Sequence, residues 1–148
     1  MARTVALSKI LDIRENEKKI AQKAYHQSMD SFEKIATELY TLLRKKENAE
    51  VSYDRYIHST APIDMIKEQA VYIERLNTQI NELQKLVQKA RNDMDSKQVK
   101  LSDAHIEVKK FERIIENRND IEEKYRKKVE NNFMDEISIT QYLSHKNR

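Results

Sequence analysis

Residues 66–90, IKEQAVYIERLNTQINELQKLVQKA, have apolar side chains at a spacing of seven that continues well beyond this stretch. The series from Ile66 is apolar at all of its positions: Ile66, Ile73, Ile80, Val87, Met94, Leu101, Val108 and Ile115. A second series, three residues further on, is mostly apolar: Gln69, Leu76, Leu83, Ala90, Lys97, Ala104, Phe111 and Arg118. The two series predict a long helix in a left-handed coiled coil.

The composition excludes most other folds. The chain has no glycine, and glycine supplies the backbone conformations of tight hairpins and phosphate-binding loops. Charged residues are 36% and apolar residues 39%, which is too little apolar surface for a large compact core. There is no cysteine, so disulfides and thiolate sites are excluded.

The first half carries a less regular apolar stripe. It contains Ile10, Ile13, Ile20, Ala24, Ser28, Phe32, Ile35, Leu39, Leu42, Lys46, Ala49, Tyr53 and Tyr56. Two successive steps of four, from Ala24 to Phe32, suggest a stutter, which locally unwinds a coiled coil. We therefore expect a soft spot between these residues.

The stretch HSTAPIDMI, residues 58–66, contains the single proline and marks a chain reversal. Ser59 or Thr60 is a candidate helix cap, and Pro62 suits a first helical turn. We predict an all-α fold in which two long helices, about 4–57 and 62–143, form an antiparallel coiled-coil hairpin. The turn is about 58–62, the domain is single (1–148), and facing positions sum to about 120.

The sequence offers no arrangement of residues that is typical of a catalytic or metal site. His26, His58, His105 and His145 are scattered, with no pair at the helical spacing that would join two metal ligands. Carboxylates are plentiful, but a two-helix structure offers no water-excluding pocket that would shift their pKa values. We therefore expect no catalytic, cofactor-binding or metal site, and no enzyme activity.

Positive charge is concentrated near both ends of the chain. Residues 1–25 contain six basic and three acidic side chains, and residues 109–132 contain eight and six. In a hairpin these segments lie at the same end. The simpler interpretation is a solvated helical surface, and the sharper one is a positive tip that meets an acidic partner. Lysine runs interleaved with aromatic residues, typical of nucleic-acid grooves, are absent from the sequence, so we expect no nucleic acid.

Tyr40 and Tyr72 fall off the apolar stripe, with Leu42 and Leu76 close by. Tyrosines on the flank of a coiled coil are common without a special role. A tyrosine beside a leucine is also a frequent composition of partner-binding patches, so both interpretations stay open.

The ends of the chain resemble a known family. ALSKILDIRENEKKIAQ (residues 6–22), EVKKFER (107–113) and FMDEISITQYL (133–143), with two long helices and a turn near residue 60, resemble the flagellar type III export protein FliJ family. The likeness covers nearly the whole chain and is greatest to Gram-positive, Bacillus-like members. One departure is the turn, where family members often have a glycine and a longer loop.

The resemblance implies a non-catalytic central-stalk and coupling subunit of the hexameric flagellar export ATPase, promoting ring assembly and activity. Further implied partners are the cytoplasmic domain of the export gate and export chaperones. The expected location is cytoplasmic, peripherally associated with the membrane-embedded flagellar export apparatus. The end bearing both termini would contact the ATPase ring, with candidates Leu7, Ile10, Leu11, Arg14, Lys18, Lys124 and Lys127. Carried over by position, the gate contact falls on Glu38, Leu42, Tyr72 and Leu76.

Two alternatives remain at this point. One is a generic coiled-coil tether or scaffold that dimerises through its long helix, because heptads do not say which chain supplies the partner. The other is the stalk of a non-flagellar type III secretion ATPase or of another rotary ATPase. Since each half of the chain carries a stripe that can meet the other, we expect a monomer.

Overall fold

The computed structural model of the protein describes residues 2–146, and these form two helices. Helix α1 is Ala2–Ile57 and helix α2 is Ile63–Lys146. No strand occurs within this described range. The two helices pack against each other, which confirms the predicted all-α hairpin of two long helices.

The turn between the helices is built without any residue of positive φ in the described range. A left-handed residue at a helix end usually requires glycine, so this turn explains how a glycine-free chain can reverse. The predicted cap was wrong. Ser59 Oγ donates to the Tyr56 carbonyl at 3.2 Å and closes α1, whereas the Pro62 carbonyl accepts from the Met65 amide at 3.1 Å and opens α2. Asp64, in the first turn of α2, suits the positive end of the helix dipole.

The chain divides into two compact units. One, which we call the terminal unit, is made from the chain ends, up to Lys18 and from Ala104 onward. The other, the turn unit, is Lys19–Asp103. The prediction of a single domain is not tested by this division and stays a prediction.

Contacts across the turn unit give the direction of the helices. Gln69 Nε2 donates to the Ala49 carbonyl at 3.2 Å, and the Arg91 guanidinium lies 5.6 Å from the centre of the Phe32 ring. As the residue number rises along α2, the number of the residue that it contacts in α1 falls, as an antiparallel hairpin requires. Both pairs sum to about 120, the register expected from the sequence.

In α2 the two predicted heptad series are buried or half-buried throughout. We call these positions, with their counterparts in α1, the seam. Leu76, Ile80 and Val108 are among its buried members. The polar members Gln69, Lys97 and Arg118 are half-buried as well, so the position in the heptad, more than the residue type, decides burial.

In α1 the predicted stripe was partly wrong. Ile13 and Ile20 are exposed, at 55% and 70%, and the half-buried positions are instead Lys18 and Ala21. One set of covered positions in α1 alternates steps of three and four: Thr4, Leu7, Leu11, Arg14, Lys18, Ala21, Tyr25, Ser28, Phe32, Ile35, Leu39, Leu42, Lys46, Ala49, Tyr53 and Tyr56. Ile10, Ala24, Ala36 and Ser52 are half-buried beside this set. Because Ala24, Ser28 and Phe32 are all covered, the predicted stutter stays a prediction.

An isoleucine in the seam and an isoleucine outside it provide a test of the α1 assignment. We expect Ile80→Ala, on the seam and 4% exposed, to lower the free energy of unfolding by about 2–5 kcal/mol. Ile20→Ala, an equal truncation at an exposed position, should change it by less than about 0.5 kcal/mol. Urea denaturation followed by circular dichroism measures both. Comparable losses would place Ile20 on the seam, as its hydrophobicity alone suggested.

Candidate functional site

In the terminal unit, α2 continues beyond the last seam position, Arg118, and every described residue from 119 to 146 is exposed. This segment, which we call the terminal segment, carries large apolar side chains. They are Ile121, Tyr125, Val129, Phe133, Met134, Ile137, Ile139, Tyr142 and Leu143. Single exposed apolar residues are ordinary, but a concentration of this kind marks an interaction surface.

The spacing changes where the terminal segment begins. Ile121, Tyr125, Val129, Phe133 and Ile137 follow one another at steps of four, in place of the alternating three and four of the seam. A row at this spacing winds around the helix and forms the ridge that packs against other helices at a steep crossing angle. This row is therefore suited to crossing contacts, while Tyr125, Val129, Ile139 and Leu143 continue the two seam series.

Basic side chains cluster near the start of the terminal segment. Lys124, Lys127 and Lys128 are exposed. Arg126 Nη2 donates to Glu123 Oε1 at 2.6 Å, and this hydrogen bond, together with the charges of Glu123 and Glu130, raises the pKa of Arg126. The exposed basic side chains suit acidic groups of a partner, while Asp120, Glu122, Glu123 and Glu130 balance their charge within residues 119–132.

The structure separates the predicted ring-contact residues into two groups. Lys124 and Lys127 are exposed, as expected. The α1 members, Leu7, Ile10, Leu11, Arg14 and Lys18, are half-buried, and all but Ile10 occupy seam positions. Arg14 and Lys18 are not members of the stripe predicted from the sequence, yet they occupy the seam, where the stems of long side chains can pack.

Arg14 has the least typical environment of these residues. Its guanidinium lies 5.8 Å from the centre of the Phe111 ring, and Nη1 donates to Glu17 Oε2 at 3.0 Å. The Nε atom, however, is buried without a hydrogen-bond partner. A buried donor without a partner costs about 1–3 kcal/mol, whereas a cation–π contact contributes about 0.5–1 and an exposed ion pair about 0–1. Arg14 therefore does not stabilise the seam by its charge.

The turn unit has a groove on one flank of its helix pair, with a volume of about 470 Å³. We call it the flank groove. Its lining comes from both helices: Thr37, Glu38, Thr41 and Leu42 of α1, and Gln79, Glu82, Leu83 and Leu86 of α2. The adjoining hollow toward the turn is lined by Lys45, Asn48, Ala49, Ser52, Gln69 and Tyr72.

Three of the four predicted gate-contact residues share this flank. Glu38 and Leu42 line the groove, and Tyr72 lines the adjoining hollow with 39% of its surface exposed. Leu76 differs, because it is 3% exposed and lies in the seam. A partner cannot reach it, and its role is in packing the two helices.

Sequence reasoning missed Leu86, which lines the groove and is 49% exposed. The signal was present, because Leu86 lies fourteen residues after Tyr72, two heptads along the same face. Neither residue belongs to the seam series. A search for a third heptad series beside the first two would have found both.

Among the residues that the structure describes, no three His, Cys, Asp or Glu side chains come together in a way that could hold a metal ion. Nor, over the same residues, is any helix long and apolar enough to cross a membrane.

Comparison with known proteins places the chain in a family. The model of the family described as flagellar FliJ protein matches residues 3–147. The chain belongs to the FliJ family. A curated relative, the flagellar FliJ protein of Bacillus subtilis (strain 168), is 34% identical over 143 residues, covering 97% of this chain and 97% of that protein. No solved structure matches.

Membership of the family establishes a coarse function. The FliJ family is a component of flagellar export and is not known for catalysis, so this chain is a flagellar protein related to export. This outcome confirms the resemblance found in the end segments and the central EVKKFER stretch. The Bacillus relative agrees with the expected Gram-positive likeness.

The environment of Arg14 predicts the effect of a single substitution. Arg14→Met keeps a long apolar stem and removes the buried Nε, so we expect stability to be unchanged or raised by about 1 kcal/mol. Lys9→Met, at an exposed position of the same helix, is the matched control and should change it by less than about 0.5 kcal/mol. Urea unfolding measures both. A loss of more than about 1 kcal/mol in Arg14→Met would show that the Phe111 and Glu17 contacts outweigh the burial of Nε.

Proposed function

We propose that this protein is a non-catalytic central-stalk and coupling subunit of the hexameric flagellar export ATPase. In this role it promotes assembly and activity of the ring, and links the ring to the export gate and to export chaperones. The observation that carries the proposal is the terminal segment, where α2 leaves the seam and exposes nine large apolar side chains. The membership of the chain in a flagellar export family supports the same role.

The ring contact is proposed on the terminal unit. Lys124 and Lys127 supply exposed charge, and the ridge that starts at Ile121 supplies apolar area. Leu7, Leu11, Arg14 and Lys18 contribute mainly by holding α1 against α2, since they occupy the seam. A contact made of many weak interactions lets a subunit shift within a ring without losing it at any one position.

The proposed location is the cytoplasmic side of the membrane-embedded export apparatus. The partners there are the cytoplasmic domain of the gate and the export chaperones, in addition to the ATPase. Tyr72, Glu38 and Leu42 are the proposed gate contact, supported by their common position on one flank of the turn unit.

The first test adds the purified chain to the cognate export ATPase. We expect hydrolysis to be stimulated, and stimulation to fall as salt rises, because exposed charges are screened over ~8 Å at physiological ionic strength. Replacing Lys124 and Lys127 with glutamine should raise the half-maximal concentration by about two- to ten-fold at low salt. The effect should shrink at high salt.

The matched control replaces two exposed lysines of the turn unit, Lys85 and Lys89, with glutamine. This changes the net charge equally and should leave the half-maximal concentration within about two-fold of the parent. If the parent gives no stimulation at any ratio, the stalk role is wrong. If both double variants behave alike, the terminal lysines are merely solvated, and the apolar ridge becomes the candidate contact.

A second test concerns the gate. Tyr72→Ala should weaken binding to the purified cytoplasmic domain of the gate by about ten-fold, because buried tyrosines dominate interface energy. ATPase stimulation should stay unchanged. Tyr40→Ala, at an exposed tyrosine outside the groove and the hollow, is the control for loss of a surface ring. Calorimetry measures binding, and equal effects of the two variants on it would remove the gate contact from this flank.

A further inference from the structure

One flank of α2 carries a third heptad row in the half nearest the turn. Met65, Tyr72, Gln79 and Leu86 are seven residues apart, and all are exposed. Three of the four are large apolar residues, with 42%, 39% and 49% of their surface exposed for Met65, Tyr72 and Leu86. We call these four residues the flank row.

A two-helix coiled coil needs only its two seam series, which give a narrow apolar stripe. A third apolar row directly beside the seam widens the stripe to what a helix shows when it faces more than one neighbour. The spacing of the row is equally informative. Residues seven apart follow the supercoil, so a partner that meets Tyr72 and Leu86 together must run along the flank for ~21 Å, and a straight α-helix of two to three heptads does so.

The flank groove adds the charge that this partner should carry. Leu42, Leu83 and Leu86 give it an apolar surface, and the charged side chains among its described lining, Glu38 and Glu82, are both acidic. A helix lying in the groove would therefore be favoured by basic residues flanking its apolar positions.

We propose that the flank row and groove together dock an amphipathic helix of a partner protein, with apolar residues at heptad spacing and basic side chains beside Glu38 and Glu82. This inference deepens the proposed docking role of the flank by stating the chemistry of the segment that binds. The docked helix completes a local three-helix coiled coil with α1 and α2.

A second copy of the chain fits the groove less well. A two-fold contact brings the same patch of each copy together, so Glu38 and Glu82 would meet the same carboxylates of the other copy. Like charges placed opposite each other in an interface disfavour association. The acidic lining thus favours a different, basic helix.

The experiment uses the full chain and three fluorescein-labelled peptides of about three heptads, with leucine at both seam positions. The peptides differ only at the flanking positions, which are lysine, glutamine or glutamate. Fluorescence anisotropy should show saturable binding of the lysine peptide, about three- to ten-fold tighter than the glutamate peptide at low salt. Leu86→Asn should weaken binding of the lysine peptide about ten-fold. Glu38→Gln combined with Glu82→Gln should make the affinities for the lysine and glutamate peptides equal.

Leu43→Asn is the matched control, because Leu43 is also an exposed leucine, at 42%, but does not line the groove. It should bind the lysine peptide as the parent does. Absence of saturable binding by every peptide, or equal losses in the Leu43 and Leu86 variants, overturns the proposal. So does sedimentation showing a dimer that Leu86→Asn dissociates, since a second copy would then be the occupant. No ATPase or gate protein is present, so this result is independent of the stalk role.

Discussion

The structure depends on one constraint, which is that two helices alone must cover each other's apolar stripe. A helix pair has no second layer behind it, so only the residues that point directly at the partner helix lose contact with water. Few apolar side chains are consequently buried, among them Leu76, Ile80 and Val108. Each such residue contributes about 1.5–3 kcal/mol gross, most of it offset by ordering the chain. Stability is therefore distributed along the seam rather than stored in a central core.

The same constraint explains why polar residues are tolerated in the seam. At the edge of a two-helix interface a long side chain can bury its stem and leave its head near water. Lys18, Lys46 and Lys97 are half-buried lysines of this kind. Gln69 satisfies its amide by reaching the Ala49 carbonyl of the other helix. A polar residue that finds its partner only in one register favours that register, at some cost in stability.

How far the sequence predicted the fold depended on how regular its pattern was. In α2 the heptad was apolar at enough positions to be followed without error through Gln69 and Arg118. In α1 the choice of Ile13 and Ile20 followed hydrophobicity alone, and both residues are exposed. A rule that requires both helices to keep one continuous heptad would have selected Lys18 and Ala21. The residue type was misleading because an exposed isoleucine costs little, whereas a break in the heptad disturbs every later contact.

The candidate surfaces were predictable to a different degree, because they depend on what the seam leaves uncovered. Tyr72 is exposed on the flank, as a contact residue must be, and Leu86 was missed. Leu76 was named as a gate contact although the second heptad series already placed it in the seam, where it is buried. A leucine packs in the seam or faces a partner protein according to its direction around the helix axis, and a shift of one residue changes that direction. The direction relative to the other helix is known only when the register is known. Once the register is established, the apolar residues outside the seam indicate where partner proteins could bind. Those on the flank row keep a spacing of seven and suit a helix alongside, whereas the row from Ile121 to Ile137 has a spacing of four and suits helices that cross. The change of period along α2 is therefore the physical basis for assigning two different kinds of partner to two different parts of one helix.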